Sequence, residues 1–367
     1  MVSFPQQEFP SMRVFVVGPQ YADSFARNTA VTLAKMGLQV STGAPGLMTA
    51  RPAQRLNSLL SLGAQFFPQV ENRVQQRFVR AVEKTRPDLI LVTYGLLTPR
   101  TVKQLRSIAP AVAAWYPDPA ANLGREYILA SEFQCVFFKE PRAVALFRKN
   151  LDLPAYFLPE CCNPLWHHPM DCTPEELARL VCDVATAGNC YYYRLRMIEE
   201  LAPFDVKIWG GAAAGWLDHP MLRFRQRHYV GEEEKAKAMC AAKIVLNTFV
   251  HKETDSVNCR LFEATGCGGF VLTEDRPAVG DFFEPGQEVA IFDSRKDLVE
   301  KVRYYLAHPE ERQRIAQRGC QRAHRDHTYE IRLRHLLEVV SQQTGLHLLP
   351  PTGGTAPMAL QQQRGSF

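Results

Sequence analysis

No stretch of eighteen uninterrupted apolar residues occurs in the chain, so no membrane-spanning helix is expected. The opening MVSFPQQEFPSM has neither a basic start nor an apolar core. That argues against a secretory leader and for the cytoplasm. No Cys-x-x-Cys pair is present. The ten cysteines are scattered through apolar segments, as at Cys135, Cys182, Cys240 and Cys267, the pattern of reduced thiols rather than of a disulfide framework. Their densest group is Cys161 and Cys162 with His167 and His168, in ECCNPLWHHP. Adjacent cysteines cannot easily both point at one tetrahedral metal, and no metal site is expected there. Gly18, after the first strand pattern, stands without the other glycines of a dinucleotide fingerprint, which disfavours a nicotinamide dehydrogenase. Strong charge is lacking too. The formal net charge is +5, and the arginine-rich stretches 221–228 and 311–325 carry apolar residues at helical spacing. Solvated helix faces are favoured over nucleic-acid binding, and an acidic substrate, a bound phosphate or peripheral contact with an anionic membrane remain open uses.

What is present is a long alternation of short apolar runs and helical patterns. A chain of 367 residues suits two moderate domains, and the alternation predicts parallel sheets covered by helices. A loose start (1–11) precedes a first domain (12–158). Strands are predicted at 12–17, 38–41, 87–93, 112–116, 135–138 and 156–159, with helices at 27–36 and 141–150 and a helical region over 56–82. The proline-rich segment from 159 opens a connection to residue 178. The second domain (179–326) has strands at 180–185, 206–211 and 243–249, a turn followed by a strand over 282–292, and helices from 191, at 298–306 and at 309–324. A last helical stretch (327–348) and a tail poor in bulky apolar residues (349–367), expected to be disordered, complete the chain.

The most informative stretch is DSVNCRLFEATGCGGFVLTE, residues 255–274. It reads as loop, helix, turn and strand after the strand at 243–249. Such a unit sets a helix N-terminus at the carboxyl edge of a parallel sheet, where unpaired N–H groups and the helix dipole favour an anion such as phosphate. Asp255, Ser256 or Asn258 is suited to cap that helix, and Val257, Leu261, Ala264 and Thr265 share the face expected on the sheet. Glu263 lies off that stripe. Asp118, after the strand at 112–116 and between two prolines, is either a turn residue or a carboxylate at the ligand-binding edge, able to accept a proton from a hydroxyl. Gly188 and Asn189 form a small-residue turn after the strand at 180–185. Arg194, one helical turn on, is placed to pair with a phosphate there, with Arg196 as the weaker alternative. The segment 228–231 has the look of a strand end near the same edge.

An acidic residue, seven others, then Glu in a helix before a small-residue turn resembles the donor-site motif of retaining glycosyltransferases with two Rossmann-like domains, the GT-B group. The wording DSVNCRLFEATGCGGF, FFEPGQE, HTYEIR and GNCYYYR is similar to the spore-maturation CgeB-like branch, closely over 243–337 and patchily before residue 203. The resemblance implies an α/β fold of two Rossmann-like parallel-sheet domains facing across a cleft, with the C-terminal helix crossing back to the first. It implies transfer of a sugar from a nucleotide-diphosphate donor to an unidentified acceptor, with retention. Glu263 then binds the ribose, Asp255 lies near the donor sugar, Gly188, Asn189 and Arg194 hold the diphosphate with Ser256, Val257 and Asn258, and Asp118 is the catalytic carboxylate that orients the acceptor hydroxyl or accepts its proton. No Asp-x-Asp pair is present, so metal-independent chemistry without a cofactor is expected. The rival readings are a nucleotide-sugar epimerase or phosphorylase on the same scaffold and a non-catalytic nucleotide-sugar sensor.

Overall fold

The computed structural model describes residues 12–46, 67–211, 213–226 and 229–348. Two parallel sheets account for its strands. The first contains β1 (Arg13–Val17), β2 (Gln39–Gly43), β3 (Leu89–Val92), β4 (Ala111–Tyr116), β5 (Cys135–Phe138) and β6 (Ala155–Phe157), in the order β2-β1-β3-β4-β5-β6. The second contains β7 (Cys182–Ala187), β8 (Val206–Trp209), β9 (Ala242–Asn247), β10 (Val271–Glu274) and β11 (Ala290–Phe292), in the order β11-β10-β9-β7-β8. The fold is α/β with two Rossmann-like sheets.

β3, β4 and β5 are fully buried apolar runs, as a parallel sheet covered on both faces requires. Val14, Val16, Leu89, Leu91, Ala113 and Trp115 point to one side, where α1 (Phe25–Lys35) packs. Phe15, Val17, Ile90, Val92 and Ala114 point to the other, where α2 (Pro68–Glu83), α3 (Pro99–Arg106) and α4 (Pro141–Leu151) lie. Around the second sheet are α5 (Pro174–Leu180), α6 (Tyr192–Met197), α7 (Glu233–Ala241), α8 (Cys259–Gly266), α9 (Arg295–Ala307) and α10 (Pro309–Asp326). The last helix, α11 (Tyr329–Thr344), leaves the second sheet's side and buries Tyr329, Leu333, Leu336 and Leu337 against the core of the first. Its start is stitched to the connection by Cys162 N–H on His327 O and Tyr329 N–H on Cys162 O.

Several expectations shift. Leu180 ends α5 rather than opening a strand, because Thr173 and Glu176 form a capping box around Pro174 and start a helix inside the proline-rich connection. α3 and α7 were not predicted. Of the helical region 56–82, residues 56–66 lie outside the described residues, as do 1–11, His228 and 349–367. Cys161 packs into the first core and Cys162 into the second, so the two thiols diverge. In each sheet the strand order reverses at one point, between β1 and β3 and between β7 and β9, and ligands of open α/β sheets bind outside the carboxyl ends at such points.

Candidate active site

At the second reversal β7 is followed by Gly188, whose φ of +113° suits only glycine. A Cβ there would lie 2.2 Å from Arg260 Nη2 and 3.1 Å from Arg194 Nη1. Both arginines are buried, and their hydrogen bonds go to neutral groups. Arg194 Nε donates to Thr248 Oγ1 (2.9 Å) and Nη1 to Asn189 O (2.6 Å); Arg260 Nη1 donates to Asn247 Oδ1 (3.1 Å) and Thr248 O (3.3 Å). Among the described residues no carboxylate is paired with either guanidinium. Burial first, and then the charge of Arg260, bring Arg194 down to about 9. Two neighbouring buried cations without a counter-ion are costly unless an anion joins them.

The helix that starts beside them adds to the same field. α8 is capped by Asn258, whose Oδ1 accepts from Leu261 N–H (3.3 Å), while its Nδ2 donates to Thr248 O (3.1 Å). Of the three possible caps, Asp255 and Ser256 are therefore not used. Ser256 Oγ is instead buried without a hydrogen-bond partner among the described residues, an unmet donor and acceptor near a positive helix end.

Glu263 lies off the apolar stripe of α8 yet is buried, because the helix is buried on every face from Arg260 to Gly266. Its Oε2 takes Lys235 Nζ at 2.8 Å, whereas Oε1 accepts no hydrogen bond from the described residues. Lys235 also pairs with Asp23 of the β1–α1 loop, and Asp23 Oδ1 lies 3.3 Å from His167 Nε2. Asp23, His167 and Glu263 bring ligand-type atoms within 4.8 Å of one another, but the ammonium of Lys235 already sits between the two carboxylates. Despite burial, Lys235 and His167 hold Asp23 far below the usual carboxylate range.

Asp118 follows β4, solvent-exposed in its side chain yet with protein around it. That surrounding low-dielectric mass raises its pKa, Lys139 opposes the rise and Glu253 adds to it. Lys139 is buried, bonding Glu160 Oε2 (3.0 Å), Glu253 and Val257 O (3.3 Å). Burial and the nearby Glu253 push Glu160 up to about 7, although Lys139 pulls the other way. Burial first, and then the carboxylates of Asp118 and Asp23, raise the Tyr21 phenol, while Lys235 opposes the rise.

Gly188, Asn189, Arg194, Ser256 and Asn258 thus come together at the β7–β9 reversal. Asn189 contributes its carbonyl to Arg194 and its side chain to Tyr191 Oη. Val257 faces inward and offers Lys139 its carbonyl. Asp255 is spent elsewhere: Oδ2 accepts the Arg142 backbone N–H at 3.0 Å, capping α4 of the first sheet's side. The acid buried beside Lys139 is Glu253, two residues earlier. Arg196 is exposed and paired with Glu199. Arg260 was missed, although a cation at the second position of a helix, against the dipole, is a readable anomaly.

Residues 194–338 match a family model described as glycosyl transferase-like. Sucrose-phosphate synthase from Thermosynechococcus elongatus is 15% identical at TM-score 0.61, covering 91% of this chain and 99% of that one. A glycosyltransferase from Rickettsia africae ESF-5 is 11% identical at TM-score 0.58, covering 91% and 99%. The fold is GT-B. Anabaena HepE, in complex with UDP-glucose, is 10% identical at TM-score 0.59 over 90% of this chain and all of that one. Among curated proteins none has significant sequence similarity to the chain.

Proposed function

We propose that this GT-B chain is a retaining glycosyltransferase of the CgeB-like kind, moving a sugar from a nucleotide-diphosphate donor to an acceptor hydroxyl. The observation that carries the reading is the pair of buried arginines, Arg194 and Arg260, facing the Gly188 turn with neutral partners only. A diphosphate fits there, against the start of α8 and the unmet Ser256 hydroxyl. The guanidiniums and helix end stabilise the charge of the leaving nucleotide, as a metal would elsewhere. Glu263 Oε1 is then offered to the ribose. Asp118 orients the acceptor hydroxyl and takes its proton. Asp255 is better read as an interdomain cap than as a catalytic group. Retention and independence from metal and cofactor rest on the sequence likeness.

Uridine nucleotides are the first to test, because the similarly folded HepE is found with UDP-glucose. The experiment is incubation with nucleotide sugars and candidate glycan, protein, lipid and small-molecule acceptors, followed by product analysis. Glycosylated acceptor and free nucleotide diphosphate support the reading; an isomerised donor identifies an epimerase, and binding without turnover a sensor.

A further inference from the structure

The β1–α1 loop is clasped by the segment that opens α7. Tyr229 Oη donates to Ala22 O at 3.3 Å, Arg27 pairs with Glu232, Asp23 N–H lies 3.4 Å from Glu232 Oε1, and Lys235 pairs with Asp23. Five described non-glycine residues have positive φ, and two of them, Asp23 (61°) and Glu232 (53°), meet in this clasp. Backbone strain of that kind persists only where surrounding contacts enforce it. Asp23 is further fixed by Asn28 Nδ2 (3.0 Å), itself tied to Asn163 (2.8 Å). His167 Nδ1 accepts Asn163 N–H (2.9 Å), which leaves the neutral ring's proton on Nε2, toward Asp23.

The charges do not cancel. One ammonium, Lys235, serves two carboxylates, Asp23 and Glu263, so one negative charge is left over, and among the described residues the carboxylate oxygen with neither a hydrogen bond nor an ion pair is Glu263 Oε1. A surplus charge on one fixed oxygen suits a hydroxyl donor. Without Asp23, Lys235 has a single counter-ion and is free to straddle both of its oxygens.

We propose that Asp23, supplied from the first sheet's side, is a positioning residue for the donor: by sharing Lys235 it keeps one Glu263 oxygen open to the ribose hydroxyls. This rests on the ribose reading of Glu263. It makes donor affinity depend on a residue that touches no part of the donor.

The test is calorimetric titration of the full chain with UDP, GDP and ADP, then with the 2′,3′-dideoxy form of the tightest binder. Asp23→Asn should weaken the ribonucleotide about tenfold and abolish its advantage over the dideoxy form, as Glu263→Gln should. The double variant should bind like Glu263→Gln alone, since both act on one contact. Lys235→Arg should keep more affinity than Lys235→Met. If Asp23→Asn does not fold, Glu232→Gln, at the clasp's outer end, should still weaken binding about two- to threefold. Wild-type discrimination retained in Asp23→Asn, or in a folded Glu232→Gln when Asp23→Asn is lost, overturns the proposal; so do penalties that multiply in the double variant. A wild-type chain that binds no nucleoside diphosphate overturns the donor site and, with it, this inference.

Discussion

Replacing Arg260 with methionine separates a ligand-binding arginine from a structural one. Arg260 Nη2 and Arg194 Nη1 both approach the position a Gly188 Cβ would take, which sets the two guanidinium nitrogens no more than about 5 Å apart. At an effective dielectric of about 20 their repulsion is about 3 kcal/mol. Against it stand the Arg260 hydrogen bonds to Asn247 Oδ1 and Thr248 O, whose loss costs about 1–3 kcal/mol; Thr248 O keeps its bond from Asn258. The terms nearly offset, so Arg260→Met should leave the unliganded melting temperature within about 3 °C of wild type. Binding has no such offset. Losing a charge-assisted bond to phosphate removes about 1.5–3 kcal/mol, about ten- to 150-fold in Kd. Titration calorimetry of a nucleoside diphosphate, beside a thermal melt without it, reads both. A variant that melts far below wild type yet binds with unchanged affinity would make Arg260 a structural residue and refute the argument.

Other outcomes follow from the same geometry. Asp118→Asn should lower kcat by at least about 100-fold while donor Kd holds, as steady-state turnover and calorimetry would reveal; normal turnover removes Asp118 from the chemistry. Gly188→Ala meets both a forbidden φ and Arg260; it should cost about 1–3 kcal/mol of stability in denaturant melts and weaken nucleotide binding. An unchanged melt would contradict the close approach. Glu160, buried and pushed up to about 7, holds its proton in the folded state over a range where the unfolded chain has lost it. Its contribution to stability is therefore greatest below about pH 4.5 and is lost as pH rises to about 7, a change on the order of 3 kcal/mol. Glu160→Gln should flatten that part of the stability–pH curve, and an identical curve would count against it.

The chain's periodicity made most of the fold legible. Runs such as LILV and AVAAWY can only be strands buried on both faces, and the glycine turns after β7 and α8 were plain. Helix α5 was hidden because proline and polar residues read as a linker until the capping of Thr173 by Glu176 is recognised. The donor edge was half legible: Gly188, Arg194, Ser256 and Asn258 lie in two short local motifs. The rest depends on contacts that spacing does not encode. Asp23 reaches Lys235, Lys139 reaches Glu253, and Asp255 is drawn to the start of α4, each pairing made only when the two sheets face each other. The burial of Glu263 was not legible from the stripe, because its lysine partner comes from a different helix.

The most direct measurement is a crystal structure of the chain with a bound nucleoside diphosphate. Phosphate oxygens are expected within hydrogen-bonding distance of Arg194 and Arg260, ahead of α8, with a ribose hydroxyl on Glu263 Oε1. A nucleotide bound with its phosphates away from both arginines, or a ribose that leaves Glu263 untouched, would contradict it.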